Sequence, residues 1–221
     1  MTVSEEIDAV FLIADLSGYT ALTEAHGNLS AAKIVARYSE IVNEVLHPDA
    51  QLVEKVGDEV LIVTDNAASV IHTAIRLRDT IELESQFPFV HAGIHAGMTL
   101  KQDGRYFGKA LNLTSRVAAH ARASQILCTE RVINLANDLD NIAYRSLGLA
   151  SFKNIVEPIE IFEVISGDRR EKFKRFDPVC HMQVNQDTAP AKLPYQGKTC
   201  YFCSFDCAKT FATNPERYLG N

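Results

Sequence analysis

Two aspartates in glycine-containing turns are the residues of this chain best suited to binding metal ions next to phosphate. Asp15 lies in A-D-L-S-G-Y-T, and Asp58 lies in V-G-D-E-V. Farther along, Gly108, Asn112 and Arg116 form the pattern G-x-x-x-N-x-x-x-R, whose amide and guanidinium groups would share one helical face. Since two carboxylates can hold two divalent cations on a triphosphate, the combination predicts phosphate chemistry.

Each motif also has a purely structural interpretation. Either aspartate could cap a turn or occupy a hairpin bend, and the asparagine and arginine could belong to a solvated helical face. His91 and His95, in V-H-A-G-I-H-A-G, lie between apolar neighbours and are predicted to be packed rather than catalytic. The prediction of function therefore depends on the motifs occurring together.

Length and charge narrow the possible classes of protein. A chain of 221 residues with 47% hydrophobic residues suits one principal domain with a small appendage. The net charge of −6 lacks the basic excess of a nucleic-acid binder, so no nucleic-acid partner is expected. The apolar run over 9–14 is too short to span a membrane, so we expect no membrane association and a cytoplasmic location.

The chain changes character near residue 167. The first 166 residues contain 22 acidic and 13 basic residues, whereas the remainder contains 6 and 9. The join, G-D-R-R-E-K-F-K-R-F-D-P, has no helical or strand periodicity. We predict a principal domain over 1–166, a charged linker over 167–176 and a small domain over 177–221.

Hydrophobic periodicity predicts the elements that must position the motifs. A buried strand over 9–14 ends at Asp15, and a helix is expected to begin at Ser30 as its N-cap. A hairpin over 51–64 places Asp58 at its tip, because β-rich flanks around Gly-Asp indicate a turn. The predicted order is β-α-β-β-α-β-α-β-α-β-β, typical of an α+β sandwich with helices on one side of a mainly antiparallel sheet.

The region over 9–165 resembles the catalytic domain of class III nucleotidyl cyclases, in the order of its motifs as well as in their residues. The resemblance implies a ferredoxin-like sandwich with Asp15 and Asp58 as ligands for two Mg²⁺ or Mn²⁺ ions. It further implies that Asn112 orients the nucleotide ribose and that Arg116 stabilises charge on the α-phosphate. In S-F-K-N-I-V-E-P, Lys153 is the candidate that grips the triphosphate.

The same resemblance implies a reaction and an assembly. The ribose 3′-hydroxyl of a purine nucleoside triphosphate would attack the α-phosphate, giving the 3′,5′-cyclic monophosphate and pyrophosphate. In the family, the aspartates of one subunit face the asparagine, arginine and lysine of the other. A homodimer with two composite sites is therefore expected, and the alternative is a catalytically silent domain that senses nucleotide.

Two positions depart from the adenine-specific pattern of the family. Glu54 stands four residues before Asp58, where adenine-specific members have lysine, and a carboxylate there could accept from guanine N1 and N2. Arg105 stands three residues before Gly108, where the family has aspartate, threonine or cysteine. Arg105 could form an ion pair with Glu54 or block the base pocket, so ATP and GTP both stay open.

Four of the five cysteines lie in the last fifth of the chain. In a reducing compartment, such a cluster indicates a metal site before a disulfide, whereas the isolated Cys128 is expected to be a small buried hydrophobe. The region over 176–219 resembles the YHS domain, which is related to the TRASH metal-binding motif.

The YHS resemblance implies a small Cys-rich α+β module with a metal site. Cys180, Cys203 and Cys207 match its C-x(22)-C-x(3)-C spacing. Three thiolates favour a thiophilic ion such as Zn²⁺ or Cu⁺, with His181, Cys200 or water as the fourth ligand. Ser204 is expected to cap the helix that carries Cys207, and a metal-free cysteine core is the alternative.

Overall fold

The computed structural model describes residues 4–167 and 175–219. The first part contains eight strands, β1 (Ser4–Leu16), β2 (Gln51–Val56), β3 (Glu59–Thr64), β4 (Val90–Gln102), β5 (Arg105–Phe107), β6 (Ile126–Thr129), β7 (Ile142–Ala150) and β8 (Ile159–Ser166). Its four helices are α1 (Tyr19–Val45), α2 (Ala67–Ile81), α3 (Lys109–His120) and α4 (Glu130–Ala136). Every element predicted for this part is present, and β5 is an additional short strand.

One sheet carries all eight of these strands. Its order is β2-β3-β1-β4-β6-β8-β7, with β5 paired to β4. Neighbouring strands are antiparallel except β4 and β6, which run parallel. The prediction of an α+β fold with a mainly antiparallel sheet is confirmed.

Helices cover both faces of the sheet, which corrects the expectation that they cover one. The largest core packs α1, α2 and α4 against the face of β1 that carries Val10, Leu12 and Ala14. Helix α3 packs on the opposite face, with Phe11 and Ile13. Gly93 in β4 permits this approach, because an added Cβ would lie 2.1 Å from the backbone nitrogen of Ala118. Apolar periodicity identifies a helix but does not show which face of a sheet it covers.

Helix α1 begins eleven residues before the predicted N-cap, Ser30. It starts at Tyr19 and is interrupted at Gly27, whose φ of 77° and ψ of 165° are not helical. The segment before the kink has a mixed polar sequence, and it buries Leu22 in a core formed mainly by the C-terminal residues. Packing, rather than the helical propensity of this segment, therefore extends the helix.

The C-terminal residues form a small module of short elements. These are β9 (Arg175–Phe176), β10 (Gln183–Val184), β11 (Ala191–Tyr195), β12 (Lys198–Phe202), α5 (Phe205–Thr213) and α6 (Glu216–Leu219). Strand β9 pairs with β10 and β11 pairs with β12. Most of the predicted linker lies outside the described residues, and its last two residues form β9. Across the described helices, none combines the length and hydrophobicity that a membrane span requires.

Candidate active site and candidate metal centre

The two aspartates singled out in the sequence lie side by side. Asp15 is near the end of β1, and Asp58 is in the turn between β2 and β3. Pairing of Ala14 with Val60 brings this turn beside the end of β1. Burial raises the pKa of Asp58 to about 7, with further contributions from the charge of Asp15 and from a hydrogen bond between the two carboxyl groups. Burial also raises the pKa of Asp15. In the absence of a cation, the pair therefore binds a proton readily.

A histidine adjoins this acidic pair. His91 is opposite Asp15 in the register of β1 and β4, and its Nε2 lies 3.9 Å from Asp15 Oδ2. Its Nδ1 is 3.0 Å from the hydroxyl oxygen of Ser17. Burial lowers the pKa of His91, whereas the charge of Asp58 raises it. The imidazole is packed, as predicted, and it lies beside the carboxyl group of Asp15.

Helix α3 presents its predicted functional side chains to solvent. Gly108 is its N-cap, with a φ of 130°, and both Asn112 and Arg116 are exposed. Asn112 lines a groove of about 260 Å³ that also includes Glu54 and Glu59. One protomer therefore brings an amide donor and a carboxylate together in an open groove.

Glu54 also lines a second groove, of about 470 Å³, together with Arg105. Among the described residues, no ion pair joins Glu54 to Arg105 within 4.0 Å. The expected alternative of a salt bridge is thus not formed in the single chain. Arg105 lies at the wall of this groove.

Lys153 lies in the exposed loop between β7 and β8. The preceding residue, Phe152, packs edge-on against His120 at the end of α3, with ring centroids 5.6 Å apart. This contact ties the loop that carries Lys153 to the helix that carries Asn112 and Arg116.

Three thiols and one imidazole converge in the C-terminal module. The ligand atoms of Cys180, Cys203, Cys207 and His26 all lie within 4.8 Å of one another. The Sγ atom of Cys203 is 3.4 Å from that of Cys180 and 3.7 Å from that of Cys207. Nε2 of His26 is 3.5 Å from the Cys203 sulfur and 3.6 Å from the Cys207 sulfur. These four side chains are a donor set that suits a thiophilic metal ion.

The fourth member of this cluster is neither of the two residues expected from the sequence. The ring of His181 stacks on Phe176, with centroids 5.8 Å apart, and Cys200 lies in β12 opposite Leu193. His26 reaches the thiols because α1 packs against the module. Sequence spacing could not indicate this residue, since 153 positions separate it from Cys180.

Two polar residues hold the loops that carry the thiols. Buried Asp177 accepts hydrogen bonds from the backbone N–H groups of Val179 (2.8 Å), Cys180 (3.4 Å) and Cys203 (2.8 Å). Ser204 Oγ accepts from the N–H of Cys207 at 3.1 Å, which confirms the predicted cap. Hydrogen bonds from Cys180 and Cys203 hold the pKa of Cys207 well below its usual value. One thiolate is therefore favoured before any metal binds.

Known proteins resemble both parts of the chain. Residues 176–221 match the YHS domain. A pH-sensitive adenylate cyclase of Mycobacterium tuberculosis is 26% identical over 160 residues, which are 71% of this chain and 40% of that protein. The first part of the chain is thus similar in sequence to an adenylate cyclase, and its C-terminal part to the YHS domain.

Solved structures show the same fold. The adenylyl cyclase CyaB of P. aeruginosa superposes on the cyclase-like domain with a TM-score of 0.67 at 19% identity, covering 76% of this chain and 98% of that one. The guanylyl cyclase Cya2 gives 0.64 at 19% identity, covering 76% and 96%. The cyclase-like domain therefore corresponds to nearly the whole of those solved domains, while the match spans less than half the length of the mycobacterial relative.

Within one copy of the cyclase-like domain, the predicted site residues form two separate groups. Asp15 and Asp58 are together, and Glu54 shares one groove with Asn112 and another with Arg105. In the described part of the chain, no hydrogen bond or ion pair joins either aspartate to Asn112, Arg116 or Lys153. The sequence analysis missed the contact of His91 with Asp15, which depends on the register of two strands, and the roles of His26 and Asp177.

Proposed function

We propose that the chain is a nucleotidyl cyclase that converts ATP or GTP to the 3′,5′-cyclic monophosphate and pyrophosphate. The observation that carries this proposal is the pairing of Asp15 and Asp58. Their carboxyl groups are close enough to share a hydrogen bond, and they are only partly exposed. Repulsion between two such carboxylates makes them a strong site for divalent cations.

The donor chemistry fits hard ions, and Asp15 and Asp58 would hold two Mg²⁺ or Mn²⁺ ions. When bound, these ions supply positive charge that favours loss of the ribose 3′-hydroxyl proton and neutralises the leaving pyrophosphate. Asn112 would hydrogen-bond the ribose and fix the direction of attack. Arg116 would place a planar, permanently charged fork at the α-phosphate, and Lys153 would bind the triphosphate.

We further propose that the active site is shared between two copies of the chain. Asn112, Arg116 and Lys153 are all exposed and joined to neither aspartate, as expected if they act on a nucleotide held by the aspartates of a second copy. A homodimer then has two composite sites, and an isolated copy has none.

Mixing two inactive variants tests the shared site. Asp58→Asn and Arg116→Ala should each be inactive, but a mixed dimer has one intact aspartate pair facing one intact arginine. Random exchange between equal amounts should restore about one quarter of the wild-type activity, since half of the dimers are mixed and each has one working site. Sites made within single chains would give no recovery.

The choice of base is tested with product identification. The protein should be incubated with Mn²⁺ and either ATP or GTP, and the cyclic product identified by chromatography against standards. Glu54 favours GTP through its ability to accept from guanine N1 and N2. Formation of neither cyclic nucleotide by a verified dimer would refute the proposed activity.

A second candidate is a catalytically silent nucleotide sensor. It is favoured by Arg105, which shares a groove with Glu54 at the place expected for the base. Saturable binding of ATP or GTP in calorimetry, without cyclic product, would identify this function. Turnover at a rate that depends on Arg116 would exclude it.

The remaining proposals concern the boundaries, location and C-terminal metal. We assign 1–166 to the cyclase-like domain and 177–221 to the YHS domain, joined by 167–176.

The described cysteines are all free thiols, which favours a reducing compartment, and we place the protein in the cytoplasm. Cys180, Cys203 and Cys207 would bind a thiophilic ion, either Zn²⁺ or Cu⁺.

A further inference from the structure

The cysteine–histidine cluster joins two domains. Its three thiols belong to the YHS domain, whereas His26 belongs to helix α1 of the cyclase-like domain. Any ion held by all four ligands would therefore link the two parts of the chain by coordination bonds.

The spacing of the four ligand atoms fits a tetrahedral ion. Zinc–sulfur bonds of about 2.3 Å and zinc–nitrogen bonds of about 2.0–2.1 Å place two sulfurs about 3.8 Å apart and sulfur about 3.6 Å from nitrogen. Two of the three sulfur–sulfur distances are 3.4 and 3.7 Å, and two of the three sulfur–nitrogen distances are 3.5 and 3.6 Å. The remaining pairs, from Cys180 to Cys207 and to His26, lie within 4.8 Å. The cluster thus has nearly the size of a closed Cys₃His zinc site.

Packing around the cluster holds His26 against the thiols. Leu22 and Ala31, which lie on either side of His26 in α1, are buried in one core with Phe202 and Phe211 of the YHS domain. His26 itself is half-buried and directly precedes the kink at Gly27. The kink allows the segment that bears His26 to follow the YHS domain rather than the axis of the rest of α1.

Polar contacts at the edge of this core hold the domains in the same relation. The N–H of Gln183 donates to the carbonyl of Phe87 at 3.0 Å, and its Nε2 donates to the carbonyl of Ile81 at 3.1 Å. Gln86 Nε2 donates to the carbonyl of Cys203 at 3.4 Å. The docking surface is therefore formed by several segments, and the cluster lies within it.

We propose that His26 completes a Cys₃His zinc site that fastens the YHS domain to helix α1 of the cyclase-like domain. Four protein ligands leave no open position, which is characteristic of structural rather than catalytic zinc. The ion would stabilise the docked arrangement by coordination, and it would be bound more weakly, by three thiolates alone, if the domains separated.

The YHS domain that carries three of the zinc ligands contacts two chain segments that lead to Asp15 or to its neighbour His91. Gly18, just before α1 and three residues after Asp15, packs against His181 so closely that a Cβ at Gly18 would lie 2.5 Å from that of His181. The loop held by Gln183 leads into β4 and to His91, which contacts Asp15. Zinc binding would thus fix both segments that flank Asp15. This step rests on the proposed cyclase function, whereas the zinc site does not.

Cobalt spectroscopy and zinc affinity test the site without reference to turnover. The full chain, freed of metal under reducing conditions, should bind one Co²⁺ with absorption bands typical of tetrahedral thiolate coordination. His26→Ala should weaken zinc binding, measured by competition with a chromophoric chelator. The loss should be at least about 10–100-fold, which is the usual loss when only a residue supporting a ligand is removed. His72→Ala, at an exposed histidine of α2, is the matched control and should leave binding unchanged.

A second variant and a second measurement distinguish the loss of a zinc ligand from misfolding of His26→Ala. His26→Cys should restore tight binding and strengthen the thiolate-to-cobalt bands, because it supplies a fourth sulfur. Hydrogen exchange of the amides over 19–31 should slow when zinc is added to the wild type but not when it is added to His26→Ala.

The inference is overturned if His26→Ala keeps wild-type zinc affinity and an unchanged cobalt spectrum, or if His181→Ala loses them instead. Failure of the wild type to bind zinc would also overturn it. A zinc-binding protein without cyclase activity would leave the site intact and refute only the proposed function.

Discussion

Replacing one of the two carboxylates proposed to bind metal should stabilise the metal-free protein while abolishing its proposed activity. The pKa of Asp58 is raised from 3.8 to about 7 by burial and by Asp15. The folded state therefore binds a proton more tightly than the unfolded state between these pH values. The free energy of unfolding should fall as the pH rises through that window. Asp58→Asn removes the repulsion that causes this fall.

The expected gain in stability of Asp58→Asn follows from the raised pKa of Asp58. Each pKa unit corresponds to about 1.4 kcal/mol, so the full difference would be about 4 kcal/mol. Because Asp58 is partly exposed, solvent screening reduces the expected gain of Asp58→Asn at pH 8 to about 1–2 kcal/mol. At pH 5 the pair already holds a proton, and the gain should largely disappear.

Urea unfolding in EDTA at pH 5 and pH 8, followed by circular dichroism, measures this difference. Asp65→Asn, at an exposed acid before α2, is the control and should change stability by less than about 0.5 kcal/mol at either pH. Mn²⁺ should stabilise the wild type but not Asp58→Asn. A variant that is less stable than the wild type at pH 8, or that shows the same difference at both pH values, would refute the electrostatic reasoning.

Three further substitutions have outcomes set by the structure. Arg116→Ala should lower kcat by about 100–1000-fold and leave the melting temperature unchanged, since the side chain is exposed; equal loss of stability would contradict its assignment to catalysis. Gly93→Ala should cost at least about 2 kcal/mol in urea unfolding, because its Cβ would collide with the backbone of Ala118. Asp177→Ala should cost about 3 kcal/mol by leaving buried N–H groups without an acceptor, and should lower zinc affinity about tenfold; an unchanged affinity would show that Asp177 does not position the thiols.

Local sequence patterns were sufficient to predict most helices and strands and the positions of the two aspartates within them. Asp15 follows an apolar run and Asp58 occupies a Gly-Asp turn, so each position could be read from a few neighbouring residues. The family resemblance implied that the two aspartates act together, and the pairing of β1 with β3 brings them together.

Features that depend on contacts between distant segments of the chain could not be predicted from local sequence patterns. The helical segment before Ser30 is held by the YHS domain, the face covered by α3 depends on the close approach at Gly93, and His26 meets Cys180 only when the domains dock. Each of these depends on contacts between segments far apart in the chain, for which periodicity and spacing carry no signal.

Helix α1 and the C-terminal module share one apolar core. The boundary near residue 167 therefore separates two parts of the sequence that fold together. A chain shortened there would leave Leu22 and Ala31 facing water and would be prone to self-association. Likewise, transplanting the YHS domain onto another protein would require carrying the first turns of α1 with it. Comparisons of full-length and truncated chains would therefore mix the loss of the proposed zinc site with the loss of folding, which point substitutions at His26 keep apart.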